Sequence, residues 1–126
     1  MRSENQGGNN VGPLKSRTKE FAIRAVRLVE SLPKSMTAQV IGRQLLRSAL
    51  SVGANYRAAC RARSRADFVS KMGIVEEETD ESLYWLKMLV EAGAMKQERL
   101  ADLMNEGGQI AAMAVASIRT ARKGPK

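Results

Sequence analysis

The chain has 126 residues, a net charge of +8 and only 4% aromatic side chains. That length carries one domain with a single modest core, and an apolar fraction built mostly from Ala, Leu, Val, Ile and Met suits helix-on-helix packing better than a β-sandwich. The chain has no histidine and one cysteine, Cys60, so histidine-based catalysis and an intrachain disulfide are both excluded, and no run of about 18 apolar residues exists to span a membrane.

Residues 1–14 are polar and lack the apolar segment of a signal peptide. They predict a disordered leader, and with it a cytoplasmic protein. A first helix is expected from about Ser16 to Ser31, where Phe21, Ala25, Leu28 and Leu32 recur at helical spacing before Pro33 breaks the ladder. A second runs from about Met36 to Ala62. A third opens at Ser64, where Ser64-x-x-Asp67 has the form of a capping box with aspartate in place of glutamate. It continues to about Ala92, with Gly93 as its stop. The fourth covers about Lys96 to Arg122. Short connections force neighbouring helices antiparallel, so residues 15–122 predict an all-α, up-down-up-down antiparallel four-helix bundle, with a basic tail at 123–126.

Projecting the second helix at ~100° per residue gathers Ile41, Leu45, Ala49, Val52, Tyr56 and Ala59 on one side. Arg43, Arg47, Arg57 and Arg61 gather on the other within ~80°, by the same rotation. Leu50 and Ala54 interrupt that basic stripe, an apolar gap that another chain could cover. On the third helix Phe68, Met72, Val75, Thr79, Ser82, Leu86 and Leu89 form the core stripe. Ile74, Tyr84 and Trp85 lie away from it and predict either a face for self-association or a tryptophan packed at the bundle's edge. On the fourth, Leu100, Met104, Ala111, Ala114 and Ile118 face inward, while Gly107 and Gly108 mark either a close approach or a kink.

Few parts of a catalytic site are present. The acidic run Glu76–Glu81 has no histidine partners for a di-iron bundle and predicts a charged face, not a metal site. No cofactor is expected, and no enzyme. Ser48 and Asn55 are half-buried polar residues expected to serve structure, with Asn55 bonding a polar group of the third helix to set register. The chemistry that remains is basic. Arg57, Arg61, Arg63 and Arg65 fall within nine residues, with Arg43 and Arg47 behind them and Lys71 ahead. Arginine's planar fork suits phosphate. Aromatic interleaving is absent, so nucleic-acid binding is expected to be led by the backbone and weakly sequence-specific. The alternative is a scaffold bundle whose basic face docks an acidic protein or another subunit.

The segment from Gln44 to Leu89 resembles the four-helix-bundle family encoded by intervening sequences within bacterial 23S ribosomal RNA genes, also labelled ribosomal protein S23. The matching residues are Arg47-Ser48, Ser51, Asn55-Tyr56, Cys60-Arg61-Ala62, Ser64, Phe68, Lys71, Glu78, Glu81 and Tyr84-Trp85-Leu86. Phe21-Ala22, Leu32-Pro33 and the stretch Ala116–Arg122 extend the likeness over about residues 17–122. Ala58 departs from it, because the family often carries glutamate there. The resemblance implies a homopentamer. It also implies kinship with the accessory variability protein of diversity-generating retroelements, a basic pentameric barrel that binds nucleic acid and a reverse transcriptase.

Overall fold

The computed structural model describes residues 11–124. They form four helices: α1 (Val11–Glu30), α2 (Met36–Cys60), α3 (Arg65–Glu91) and α4 (Gln97–Lys123). α1 starts a turn earlier than expected. Pro13 falls in its first turn, where a missing N–H costs nothing, and Leu14 is fully buried. The expected leader therefore gives up residues 11–14 to the bundle. Its first ten residues and the last two of the tail lie outside the described residues.

Each boundary has a local cause. The Ser35 hydroxyl accepts the Ala38 N–H at 3.1 Å and opens α2, and Ser64 accepts the Asp67 N–H at 3.0 Å to open α3. The Asp67 carboxylate reaches back one residue beyond the usual capping-box target, to the Arg63 N–H at 3.3 Å, and also takes Lys71 Nζ at 2.8 Å. These two partners, Lys71 foremost, hold the Asp67 carboxyl below the usual carboxylate range. α3 ends in a Schellman turn: Gly93 adopts φ 78°, its N–H reaches the Val90 carbonyl, and the Ala94 N–H reaches the Leu89 carbonyl at 2.9 Å.

The helices pack in a ring, α1 on α2, α2 on α3, α3 on α4 and α4 back on α1, with the α1–α4 seam the thinnest of the four. Their directions follow from which residues meet. Gly42 faces Val29 while Gly53 faces Thr18; Leu83 faces Gly107 while Gly73 shares a groove with Ile118. Arg47 meets Glu81 while Tyr56 and Phe68 line a common cleft. Each successive pair is antiparallel. The core is continuous, with Leu14, Phe21, Leu45, Val52, Met72, Val75, Leu86, Leu89, Leu100 and Ile110 fully buried. On α4 the inward stripe is Leu100, Leu103, Gly107, Ile110, Ala114 and Ile118; Met104 and Ala111 are only half-buried beside it.

Gly107 answers the choice between close approach and kink. A Cβ there would stand 2.8 Å from Leu83 Cδ2 and 3.2 Å from Phe21 Cε1, whereas one on Gly108 would meet nothing within 4 Å. Gly107 lets three helices converge.

Candidate nucleic-acid interface

α2 runs out at Cys60, two residues short of the expected end. Arg61 is its C-cap, and the Arg61 and Ala62 N–H groups bond the Ala58 and Ala59 carbonyls at 3.1 and 3.0 Å. Four residues then carry the chain into α3. Arg57, Arg61, Arg63 and Arg65 are all exposed at this corner. Among the described residues Arg43, Arg57, Arg61 and Arg63 make no ion pair, and α2 contains no acidic residue to answer them.

The other predicted basic residues are committed within the chain. Arg47 bridges to α3, pairing with Glu81 and standing 3.8 Å from Glu78. Lys71 holds Asp67 one turn before it. Arg65 lies against the end of α4, where a Cβ on the capping Gly124 would come within 2.8 Å of its Nη1. The negative end of the helix dipole makes that a favourable berth for a guanidinium. Of the predicted basic residues, Arg57, Arg61 and Arg63 are therefore the ones at the corner without an ion pair, with Arg43 apart from them on the same face.

That face has a second character. Met36, Val40, Arg43, Arg47, Leu50, Ala54, Arg57 and Arg61 are all exposed, and they recur every three or four residues along α2. Met36 is 82% exposed, Val40 51% and Leu50 49%, apolar surface that a lone chain leaves in water. The sequence reading found Leu50 and Ala54 but missed Met36 and Val40, although the same spacing leads to them. The α3–α4 side carries three acids, Glu76, Glu77 and Asp80, beside two arginines, Arg119 and Arg122. A groove of about 550 Å³ there is lined by Gly73, Glu76, Glu77, Asp80, Val115 and Arg119, among others.

Of the residues expected at an oligomer interface, Tyr84 is 55% exposed, while Ile74 and Trp85 are half-buried. Trp85 packs against the bundle core, donates its indole N–H to Glu81 at 3.0 Å and meets Tyr84 edge-on with centroids 4.9 Å apart. The indole donor, with Arg47 behind it, holds the Glu81 carboxyl below its usual range. Asn55 does not reach α3 as expected: its amide donates to the Ser51 carbonyl of its own helix at 2.9 Å. Serine joins α2 to α3 instead. Ser48 and Ser82 are fully buried with their hydroxyls 2.9 Å apart, and each also contacts a carbonyl of its own helix, Leu45 and Glu78 respectively.

The sequence reading missed one further pair. Arg17 on α1 donates twice to the Glu106 carboxylate on α4, at 2.8 and 2.9 Å, and also to Gln109 at 2.8 Å. Both residues fall outside the apolar stripes, and no spacing rule links positions so far apart in sequence. Among the described residues no cluster of Cys, Asp and Glu is arranged to hold a metal ion, and no helix is long and apolar enough to cross a membrane.

Residues 14–116 match the family described as 23S rRNA-intervening sequence protein. The chain belongs to this family. A similar solved structure is the crystal structure of a protein with unknown function from the S23 ribosomal protein family of Bacteroides thetaiotaomicron. It is 34% identical, superposes with a TM-score of 0.82, and the match covers 87% of this chain and 98% of that one. No curated protein matches the chain. The superposition agrees with the four-helix fold.

Proposed function

We propose that this protein is a non-enzymatic accessory protein that assembles with copies of itself and binds RNA or DNA through the phosphate backbone. The observation that carries the reading is the α2–α3 corner, where Arg57, Arg61 and Arg63 are exposed and without an ion-pair partner among the described residues. Structural arginines find carboxylates, as Arg17 and Arg47 do here. Arg57 and Arg61 on an α2 face free of acids, with Arg63 in the turn that follows and Asp67 as the nearby acid, form a surface for polyanions. Arg65 and Lys71 support the corner through Gly124 and Asp67 and add to its field.

Self-assembly draws support from the basic, partly apolar stripe of α2 and the acidic groove between α3 and α4. The two surfaces lie on different helices, and a head-to-tail contact between the α2 stripe and Glu76, Glu77 and Asp80 generates a ring where the rotation between subunits closes. A pentamer is what the family resemblance implies. Tyr84 continues the groove face of α3 one turn beyond Asp80, whereas Trp85 lies on the α2 side, bonded to the Glu81 that pairs with Arg47, and Ile74 shares that side by helical spacing. The kinship with the accessory variability protein that the family resemblance implies makes a reverse transcriptase the protein partner to test after nucleic acid.

The experiment is a titration of a structured RNA and a matched DNA duplex at several salt concentrations. Log affinity falls with log salt by about 0.7–0.9 per phosphate contacted. Arg57→Ala with Arg61→Ala weakens binding and flattens that slope by about 1.5, on the same counting. A flat slope, or no binding at low salt, assigns the basic charge to docking of acidic protein surfaces.

A further inference from the structure

The corner holds a feature that phosphate contact alone leaves unexplained. Along Cys60-Arg61-Ala62-Arg63-Ser64 the residues alternate in role. Cys60, Ala62 and Ser64 line a cleft of about 620 Å³, and Arg61 and Arg63 stand exposed between them. Tyr56 and Phe68 form aromatic floor and wall, and α4 closes the far side with Ala116, Ser117 and Thr120. In the linear order no aromatic residue interleaves with the arginines, which argues against base stacking. The fold supplies from neighbouring turns what the linear order lacks.

We propose that this cleft is a nucleotide site: one unstacked base enters between Phe68 and the small side chains of α4, and its phosphate lies on Arg61 and Arg63. The inference rests on the nucleic-acid reading above and adds a specificity that reading does not contain. Three properties select a nucleotide. The volume falls within the range of small-ligand pockets, about 300–1,000 Å³. Ala62 and Ala116 leave small apolar walls, and the hydroxyls of Ser117 and Thr120 can donate and accept at the edge of a base, while the Ser64 hydroxyl, which accepts the Asp67 N–H, keeps its proton to donate. Finally, Arg61 and Arg63 are exposed next in sequence to the lining residues, and a guanidinium fork matches phosphate in two-pronged geometry. The base can come from an unpaired position in a strand or from a free mononucleotide.

Cys60 is the only thiol and lines the cleft in an exposed position, so its alkylation by iodoacetamide reports occupancy. The full-length protein is alkylated alone, with AMP, with an RNA hairpin closed by a base-free linker and carrying a single 2-aminopurine bulge, and with the same hairpin fully paired. The proposal expects AMP and the bulged hairpin to slow alkylation while the paired hairpin does not. It expects 2-aminopurine fluorescence to be quenched, and the bulge to bind about tenfold tighter than the paired form, a gain in keeping with stacking one base. Ala116→Trp, at an exposed position on the cleft wall, abolishes protection and the bulge preference but leaves the salt slope for paired RNA unchanged.

Salt-dependent binding of both hairpins with equal affinity and no protection of Cys60 overturns the nucleotide site and leaves the nucleic-acid reading standing. Protection by paired RNA as strong as by bulged RNA also overturns it, since coverage then needs no base. Protection by AMP with no RNA binding keeps the site, makes its ligand a free nucleotide, and removes the nucleic-acid reading. No protection and no RNA binding removes both.

Discussion

Gly107 and Gly108 invite the same substitution at adjacent positions, with opposite results. Replacing glycine by alanine inside a helix stabilises by about 0.8–1 kcal/mol through propensity alone. At Gly108, where a Cβ meets nothing within 4 Å, that gain stands undiminished. At Gly107 the new methyl presses on Leu83 at 2.8 Å and Phe21 at 3.2 Å, well inside the ~3.5–4.0 Å of a comfortable carbon contact. Leu83 is half-buried and can turn aside, but Phe21 is fully enclosed and cannot. Overpacking of this kind costs about 1–3 kcal/mol. Because the propensity gain is common to both variants, it cancels when they are compared. Gly107→Ala should therefore be less stable than Gly108→Ala by about 1–3 kcal/mol, the overpacking term itself. Urea unfolding followed by circular dichroism at one fixed protein concentration reads the difference directly. Equal stabilisation by both would refute the claim that three helices converge at Gly107.

Glu106 gives a pH signature: Arg17 holds its folded pKa below the unfolded value of about 4.3, so the pair's stabilisation is complete above about pH 5 and fades as pH falls through the lowered folded value. Urea midpoints of the unsubstituted chain and Glu106→Gln should accordingly converge in acid and stay apart near neutrality. Ser48→Ala and Ser82→Ala should each cost about 1 kcal/mol and show coupling in a double-mutant cycle, whereas Asn55→Ala, which loses only a bond within its own helix, should stay within about 0.5 kcal/mol. Leu50→Lys should leave the unfolding free energy within about 0.5 kcal/mol, since the side chain is already half in water, but lower the solution mass measured by light scattering. An unchanged mass would remove the α2 stripe from the assembly contact.

The helices were legible because their signals are local. Pro33, Ser64 and Gly93 punctuate the chain, and the stripes of α2 and α3 repeat at helical spacing with every α2 member buried. Leu14 was missed although it lies one turn before Thr18 and two before Phe21, because the polar residues ahead of it masked the start of α1. The candidate site was legible as a composition but not as an arrangement. Nothing in the order of residues says that Arg47 finds Glu81 and Glu78, that Arg65 turns to the end of α4, or that Arg61 and Arg63 stay free. Those outcomes depend on which helix lies beside which, and on how far apart each pair falls along the chain. The same holds for Ser48 and Ser82, whose meeting requires both the antiparallel pairing and its register.

The thin seam between α1 and α4 bears on how the protein comes apart. The three loop-connected pairs are local in sequence and re-form quickly once broken, whereas the α1–α4 contact joins distant parts of the chain and is the sparsest. A bundle built this way has a weak door. The first helix should swing off as a unit at a free energy well below that of global unfolding, when Arg17 releases Glu106 and Phe21 leaves Gly107. Amide hydrogen exchange would then sort the backbone into two classes, with α1 exchanging together and early while the α2–α3 hairpin stays protected until the whole bundle unfolds.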